Sequence, residues 1–548
     1  MRLYQAFAFL AALALAGCAV GPHYSPPTVP VPPAYKEGPE GTKAAEPQDQ
    51  LARGKWWEVY RDPKLNSLEE KITVSNQNLK AALAQFEQAR ALVRVNRADL
   101  YPTLTAGAAG SRNHLSRNRA AATTLSRTNF SDLQMPTLGV SYEPDLFGRV
   151  RHTIESARAS GQASAGDVEN VSLSLHAELA AEYFQLRSLD AEEELLKSSV
   201  AIFAKALELT ENRYHGGVSS AVDVAQAETE LETTRAQATE IEVARAQFED
   251  SIALLVGQPA SSFSIPNSPL AETPPVIPPG LPSELLERRP DIAAAERRVA
   301  AANEQVGVAH AAYFPSLSLS GSAGFESASL TNLLSAPSGF FALGASALVT
   351  ALDVGRRRGV SEEARAIYQQ SAANYRQTIL NAFREVEDNL AALRILAQEA
   401  ETQQAAVAAA EHSLQLSTSR YKGGVASYLE VTTAQAIALS DERAAVQIRG
   451  RRMSASVRLI QSLGGGWNRS QLPAGKIPSL PPSATGQRPA VLSPGNDPRV
   501  TNLPLGFGLY CCGCHQQRGT FQRSCPLASP SSPDGPCRLA GRSERLAP

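Results

Sequence analysis

The chain carries one succession of landmarks twice, at a shift of about 207 residues, far longer than a solenoid unit of roughly 20–50. Arg213-Tyr214-His215-Gly216-Gly217-Val218-Ser219 returns as Arg420-Tyr421-Lys422-Gly423-Gly424-Val425-Ala426. Tyr101-Pro102-Thr103-Leu104 returns as Phe314-Pro315-Ser316-Leu317, and Asp145-Leu146-Phe147-Gly148-Arg149 as Asp353-Val354-Gly355-Arg356. Leu255-Val256-Gly257 is matched by Ser462-Leu463-Gly464. The shared order implies two structurally equivalent halves. A duplicated scaffold without a catalytic motif points to an architectural or conduit role.

Proline placement outlines the elements. None lies from Asp145 to Gln258 or from Ser338 to Leu472. Both stretches are rich in Ala, Glu, Gln, Leu and Arg, which favour helix. Each is interrupted once by paired glycines that permit a tight reversal. The pattern predicts helices over 150–214 and 220–256, then 357–421 and 427–463, with further helices over 65–98 and 283–311. At about 1.5 Å per residue, a 65-residue helix spans roughly 100 Å. The two shorter helices of each half, end to end, cover nearly the same length. Rods this long need lateral neighbours along their whole length.

The segments 101–147 and 314–353 change character. Ser318-Leu319-Ser320 and Phe341 to Val349 alternate with period two. Each segment accommodates two strands of the roughly 9–11 residues that cross a bilayer. Four strands cannot close alone, because the smallest closed barrels need about eight; three chains would supply twelve. The fold expected is therefore mainly α with a transmembrane β-barrel portion, internally duplicated.

The ends carry their own signals. Arg2, an apolar run over residues 4–16 and Leu15-Ala16-Gly17-Cys18 read as an export signal (1–17) closed by a lipobox, with Cys18 as the lipidated residue. An ordinary signal peptide with an incidental cysteine is the other reading. Residues 18–50 read as an extended, weakly ordered tether, and 261–280 as a proline-rich linker between repeats at 51–260 and 281–470. The tail, 471–548, carries Cys511, Cys512, Cys514, Cys525 and Cys537 at no standard zinc spacing, and reads as disordered or as the product of a shifted reading frame. Net charge is −2 and no basic stripe stands out, which argues against nucleic acid. His152, His176, His310 and His412 are scattered at no metal-ligand spacing and read as packing or surface residues. Glu192-Glu193-Glu194 reads as a solvated helix face, and Arg149, Arg151 and Arg356-Arg357-Arg358 as interfacial anchors. With no nucleophile–base pair, P-loop or HExxH, the chain reads as no enzyme, and no cofactor is expected beyond the lipid on Cys18.

Several strings resemble the outer membrane factor family, trimeric channel lipoproteins of tripartite efflux pumps. The strongest runs from Leu281 through Arg288-Arg289-Pro290-Asp291-Ile292 to Ala295-Glu296 and looks like the opening of the second repeat. Trp56-Trp57 with Asp62-Pro63-Lys64-Leu65-Asn66 looks like the opening of the first, and Leu463-Gly464-Gly465-Gly466-Trp467 like a repeat end. The resemblance covers about residues 1–470 and implies a homotrimer with a twelve-stranded barrel in outer-membrane lipid and a long α-helical barrel in the periplasm. Its implied partners are a periplasmic adaptor (membrane fusion) protein and an inner-membrane pump of the resistance-nodulation-division type. A duct for ABC-driven secretion and a purely structural periplasmic coiled-coil lipoprotein are the rival readings.

The same resemblance implies a gate at the periplasmic tip, carried by Tyr421 and Glu430 with Tyr214 and Asp223 as first-repeat equivalents. Gln226 and Thr433 stand where many members carry a second acid. The alternative for Asp223 and Glu430 is an ordinary first-turn acid suited to the helix dipole. Gly216, Gly217 and Val218, with Gly423, Gly424 and Val425, are candidate adaptor-docking turns; turn geometry alone is the competing reading.

Overall fold

The computed structural model describes residues 20–37, 54–114, 116, 129–270, 273–280 and 282–472; Cys18 and the cysteine-bearing tail lie outside them. After a 3₁₀ segment at Trp56–Tyr60 come helices α1 (Pro63–Ser75) and α2 (Gln77–Ala98), strands β1 (Thr103–His114) and β2 (Asn129–Tyr142), the long α3 (Arg149–His215) and α4 (Ala221–Leu255). The second half repeats the order: one helical turn at Leu285–Arg288, α5 (Pro290–Ala311), β3 (Ser316–Ser327), β4 (Gly339–Leu348), α6 (Arg356–Lys422) and α7 (Tyr428–Ser462).

The two long helices have 67 residues each, roughly 100 Å. Helix α3 packs against α2, α4, α5 and α7, and α6 against α5 and α7. Neighbours on several sides explain why α3 shows no single apolar stripe: its buried positions, many of them Ala, Gly or Ser, are spread around the axis.

The helices expected over 65–98 and 283–311 are each broken where one residue turns extended. Asn76 ends α1 in extended conformation (φ −62°, ψ 128°) and caps α2, its Oδ1 accepting from the Leu79 N–H at 3.0 Å. Its Nδ2 donates to the Leu255 carbonyl at 2.7 Å, joining the start of α2 to the end of α4. In the second half Arg289 is held extended by Pro290 (φ −99°, ψ 122°), and its Nη1 donates to the Ser462 carbonyl at the end of α7 at 3.1 Å. Each half thus stacks a short helix on another through one side chain at the break.

The waist around this joint holds the main core. Trp56, Trp57 and Tyr60 pack with Leu65, Leu68 and Ile72 of α1 and with Tyr183 and Phe184 of α3. Asp190, fully buried, accepts from Arg187 at 2.9 Å, Arg245 at 2.7 Å and the Ser268 N–H at 2.9 Å, which pins the linker against α3. Glu192 and Glu193 are not solvated as expected. Arg443 pairs with Glu192 at 2.7 Å, and Glu193 holds Lys197 and Asn267, so both acids are buried in ion pairs and hydrogen bonds. Glu194 alone of the three faces solvent.

Residues 20–37 also depart from the free tether expected. The Tyr24 hydroxyl bonds the Glu296 carboxylate, Tyr35 is buried, and the backbone N–H groups of Lys36 and Glu37 donate to Glu387 at 2.7 and 3.1 Å. Gly21 crosses so close to Gly307 and His152 that a Cβ on it would come within 3.0 Å of both. The turn at Lys36–Glu37 presents both N–H groups to the Glu387 carboxylate.

The strands form one antiparallel sheet in the order β1-β2-β3-β4. Its pairing sorts the side chains: Leu104, Val140, Gly321 and Leu343 align across the sheet on one face, as do Leu138, Ala323 and Phe341. The opposite face carries Thr103, Ser141 and Ser320, then Ser318 opposite Ser346, with Phe340 and Leu348 as apolar exceptions. Few of these side chains are buried, so neither face has a core of its own.

Candidate functional site at the helix tips

At the far end from the sheet, each long helix reverses through the same turn. In the first, the Gly216, Gly217 and Val218 N–H groups donate to Asn212, Tyr214 and Arg213 carbonyls at 2.8–3.1 Å. In the second, Gly423, Gly424 and Val425 repeat these bonds onto Ser419, Tyr421 and Arg420 at 3.0 Å. Gly217 and Gly424 both have φ of +75°, a conformation that costs an L-residue strain. Val218 and Val425, which follow these glycines, are 67% and 74% exposed.

Ser220 caps α4: its Oγ accepts from the Asp223 N–H at 3.2 Å, and its own N–H donates to Asp223 Oδ2 at 3.0 Å. Asp223 is thus one arm of a capping box. Ser427 caps α7 without a side-chain bond, which leaves Glu430 able to turn toward Arg420, 3.5 Å away.

The two tyrosines differ sharply. Tyr214 is 46% exposed and Tyr421 only 4%. Tyr421 exchanges a hydrogen bond with Ser219 Oγ at 2.9 Å, lies under the Arg213 guanidinium at 4.7 Å, and meets Tyr428 edge-on at 5.2 Å. Arg213 Nη1 also donates to the Lys422 carbonyl at 3.3 Å. Burial pushes the Tyr428 hydroxyl up to about 12. Ala227 and Val431 complete this small core. The two hairpins are therefore stitched together through Tyr421, while Tyr214, its counterpart, is left outside. Sequence reasoning singled out both tyrosines, the glycines and the acids. It missed Arg213 and Ser219, whose only signal was membership of the repeated string, and Tyr428, which lies beyond that string and had no signal.

Long paired rods reversed at one end and a core-less sheet with one apolar and one hydroxyl-bearing face at the other suit a membrane conduit. The family description that matches is the outer membrane efflux protein, over residues 68–258 and 281–465. The chain is 31% identical over 462 residues to the antibiotic efflux pump outer membrane protein ArpC of Pseudomonas putida, covering 83% of this chain and 94% of that one. It matches the solved outer-membrane channel OprN at 31% identity and a TM-score of 0.75, over 82% of this chain and all of that one. The open state of the Neisseria gonorrhoeae MtrE outer membrane channel matches at 30% identity and a TM-score of 0.71, over 82% and 99%. The chain belongs to the outer membrane efflux protein family: it is a non-enzymatic outer-membrane channel of an efflux pump, with a helical extension into the periplasm.

Proposed function

We propose that three copies of this chain form the exit duct of a tripartite pump that expels small toxic compounds such as antibiotics, the cargo named for ArpC. The observation that carries this reading is the open sheet. Inside a bilayer every backbone group must be paired, so the outer edges of β1 and β4 need partners from other copies. Closure of three sheets puts the leucine face toward lipid and the Ser/Thr face toward a wet lumen.

In this reading residues 1–17 direct export, Cys18 carries the lipid anchor, and residues 51–260 and 281–470 are the two repeats. The tail beyond residue 485 is dispensable for assembly and export. Tyr214, Asp223, Tyr421 and Glu430 belong to the closed tip, and the Gly216-Gly217-Val218 and Gly423-Gly424-Val425 turns meet an adaptor protein. The exposure of both valines supports docking, since small, protruding apolar turns allow close backbone approach. The Arg289-Pro290-Asp291 signature supports a pump of the resistance-nodulation-division type over an ABC-driven secretion system.

The test is conductance in a planar bilayer, using full-length detergent-extracted protein of verified oligomer mass. A trimer with small, cation-preferring channels that enlarge in the Asp223→Ala/Glu430→Ala variant is the expected result. An intact trimer with no conductance in either form would leave a sealed or purely structural assembly and overturn the duct.

A further inference from the structure

Where the strands give way to α6, a cavity of about 430 Å³ opens between Val20, the end of α5 and the first turns of α6. This is within the roughly 300–1,000 Å³ of small-ligand sites. Tyr313 and Phe314 form its apolar side. Phe314 is stacked on Phe147 at 4.9 Å, and Tyr313 lies under the Arg357 guanidinium at 5.4 Å, so both rings are fixed.

The other side is cationic. Arg358 and Arg365 stand two turns apart on one face of α6 and both line the cavity. Its lining holds a single carboxylate, Glu362, which is engaged by Arg358 at 2.9 Å. Among the described residues Arg365 has no carboxylate partner; it donates to His310 Nε2 at 3.2 Å. That contact directs the second arginine into the cavity without neutralising it.

The location adds a third observation. The Val20 N–H donates to the Phe147 carbonyl at 3.3 Å, so the chain enters the structure at the rim of this cavity, and Cys18 is two positions earlier. The rim also lies beside the ends of β3 and β4, where the apolar sheet face stops. Aromatic side chains at such a boundary mark the membrane–water interface.

We propose that this cavity binds the phosphodiester headgroup of an anionic phospholipid from the periplasmic leaflet, with its acyl chains lying along Tyr313 and Phe314 toward the apolar sheet face. The unneutralised arginine charge selects a net negative headgroup over a zwitterionic one. A lipid on Cys18 cannot serve instead, because a thioether-linked diacylglyceryl group carries no phosphate. The proposal rests on the reading that the sheet spans the membrane and that Cys18 lies at its surface.

Full-length protein, stripped of lipid in non-ionic detergent and checked for oligomer mass, is titrated with phosphatidylglycerol or phosphatidylcholine while native mass spectra count retained lipid. Wild type retains phosphatidylglycerol in preference. Arg358→Gln/Arg365→Gln weakens that binding by about tenfold or more at unchanged oligomer mass. Cys18→Ala leaves it intact, as does Arg384→Gln, whose guanidinium pairs with Asp388 farther along α6. Equal retention of the two lipids by wild type overturns the proposal, whether or not the double variant assembles. So does equal phosphatidylglycerol retention by wild type and an assembled double variant. Failure of wild type to insert into phosphatidylglycerol vesicles as a heat-modifiable species overturns the membrane reading itself; insertion without lipid preference removes only the headgroup site.

Discussion

At the residue scale the waist holds a pair that no local pattern announces. His176 Nδ1 and Glu69 Oε2 are 2.6 Å apart, both side chains are buried, and the Trp57 ring stacks on the imidazole at 4.4 Å. Burial pushes the Glu69 carboxyl well above the usual carboxylate range and the His176 imidazole down to about 4. One proton between the two atoms makes a neutral, hydrogen-bonded unit. The consequences for stability have opposite signs. Unfolded chain protonates His176 below its ordinary 6.5 while folded chain does not, so this residue's contribution is lost as pH falls toward 4. Unfolded chain ionises Glu69 above its ordinary 4.5 while folded chain holds the proton, so its contribution is lost as pH rises. Between pH 4.5 and 6.5 the two slopes offset each other in the native protein. Glu69→Gln should therefore melt lower at pH 4.5 than at 6.5, and His176→Gln higher, with differences up to roughly 3 kcal/mol. Thermal melts at the two pH values check this, and a common sign in both variants would refute the pair's assignment.

At the element scale, what was legible depended on distance along the chain. The long helices and their turns were readable because composition, absent proline and paired glycines are local signals. The break at Asn76 was not, since Asn76 carries no breaker and its partner, the Leu255 carbonyl, is 179 residues away. Pro290 does mark the second break, because proline disfavours helix at the residue before it. The Arg289 string was recognisable as a signature, yet its task was hidden: Arg289 pairs with Asp291 at 2.7 Å, Glu385 at 2.7 Å and the Ser462 carbonyl, joining α5, α6 and α7. These charges raise an already high guanidinium pKa against the opposing effect of burial. A lysine cannot serve this fork. Arg289→Lys should thus cost about 2–3 kcal/mol, for charge-assisted hydrogen bonds that the buried guanidinium makes and an ammonium cannot, and Asn76→Ala about 1–2 kcal/mol for a lost buried hydrogen bond. Urea unfolding of the detergent-purified protein ranks them; equal costs would mean that Arg289 is no more a joint than Asn76.

At the scale of the whole molecule the duplication makes a prediction about where the tip opens. Within one chain α3 packs on α7, and Arg213 at the end of α3 stacks on Tyr421 at the end of α6. In the proposed trimer the equivalent seam lies between copies: α6 against a neighbour's α4, Arg420 facing the partner's Tyr214. The repeat is not faithful there. Ser219, which bonds the Tyr421 hydroxyl, corresponds to Ala426, and Tyr428, which meets its ring, corresponds to Ala221. The seam between copies therefore lacks a hydroxyl partner and an aromatic neighbour worth about 0.5–1.5 kcal/mol. In that trimer it is the weaker of the two, and the half-exposed Tyr214 would find its partner there in another copy. Tyr214→Ala should enlarge single-channel conductance with little change in melting temperature. Tyr421→Ala should instead destabilise the hairpin pair by about 3 kcal/mol, in the range of buried aromatic truncations. Conductance and melting recorded on the same preparations separate the two seams. If Tyr421→Ala opens the channel while Tyr214→Ala leaves it closed, the tip parts within each chain and the inference from the broken repeat is wrong.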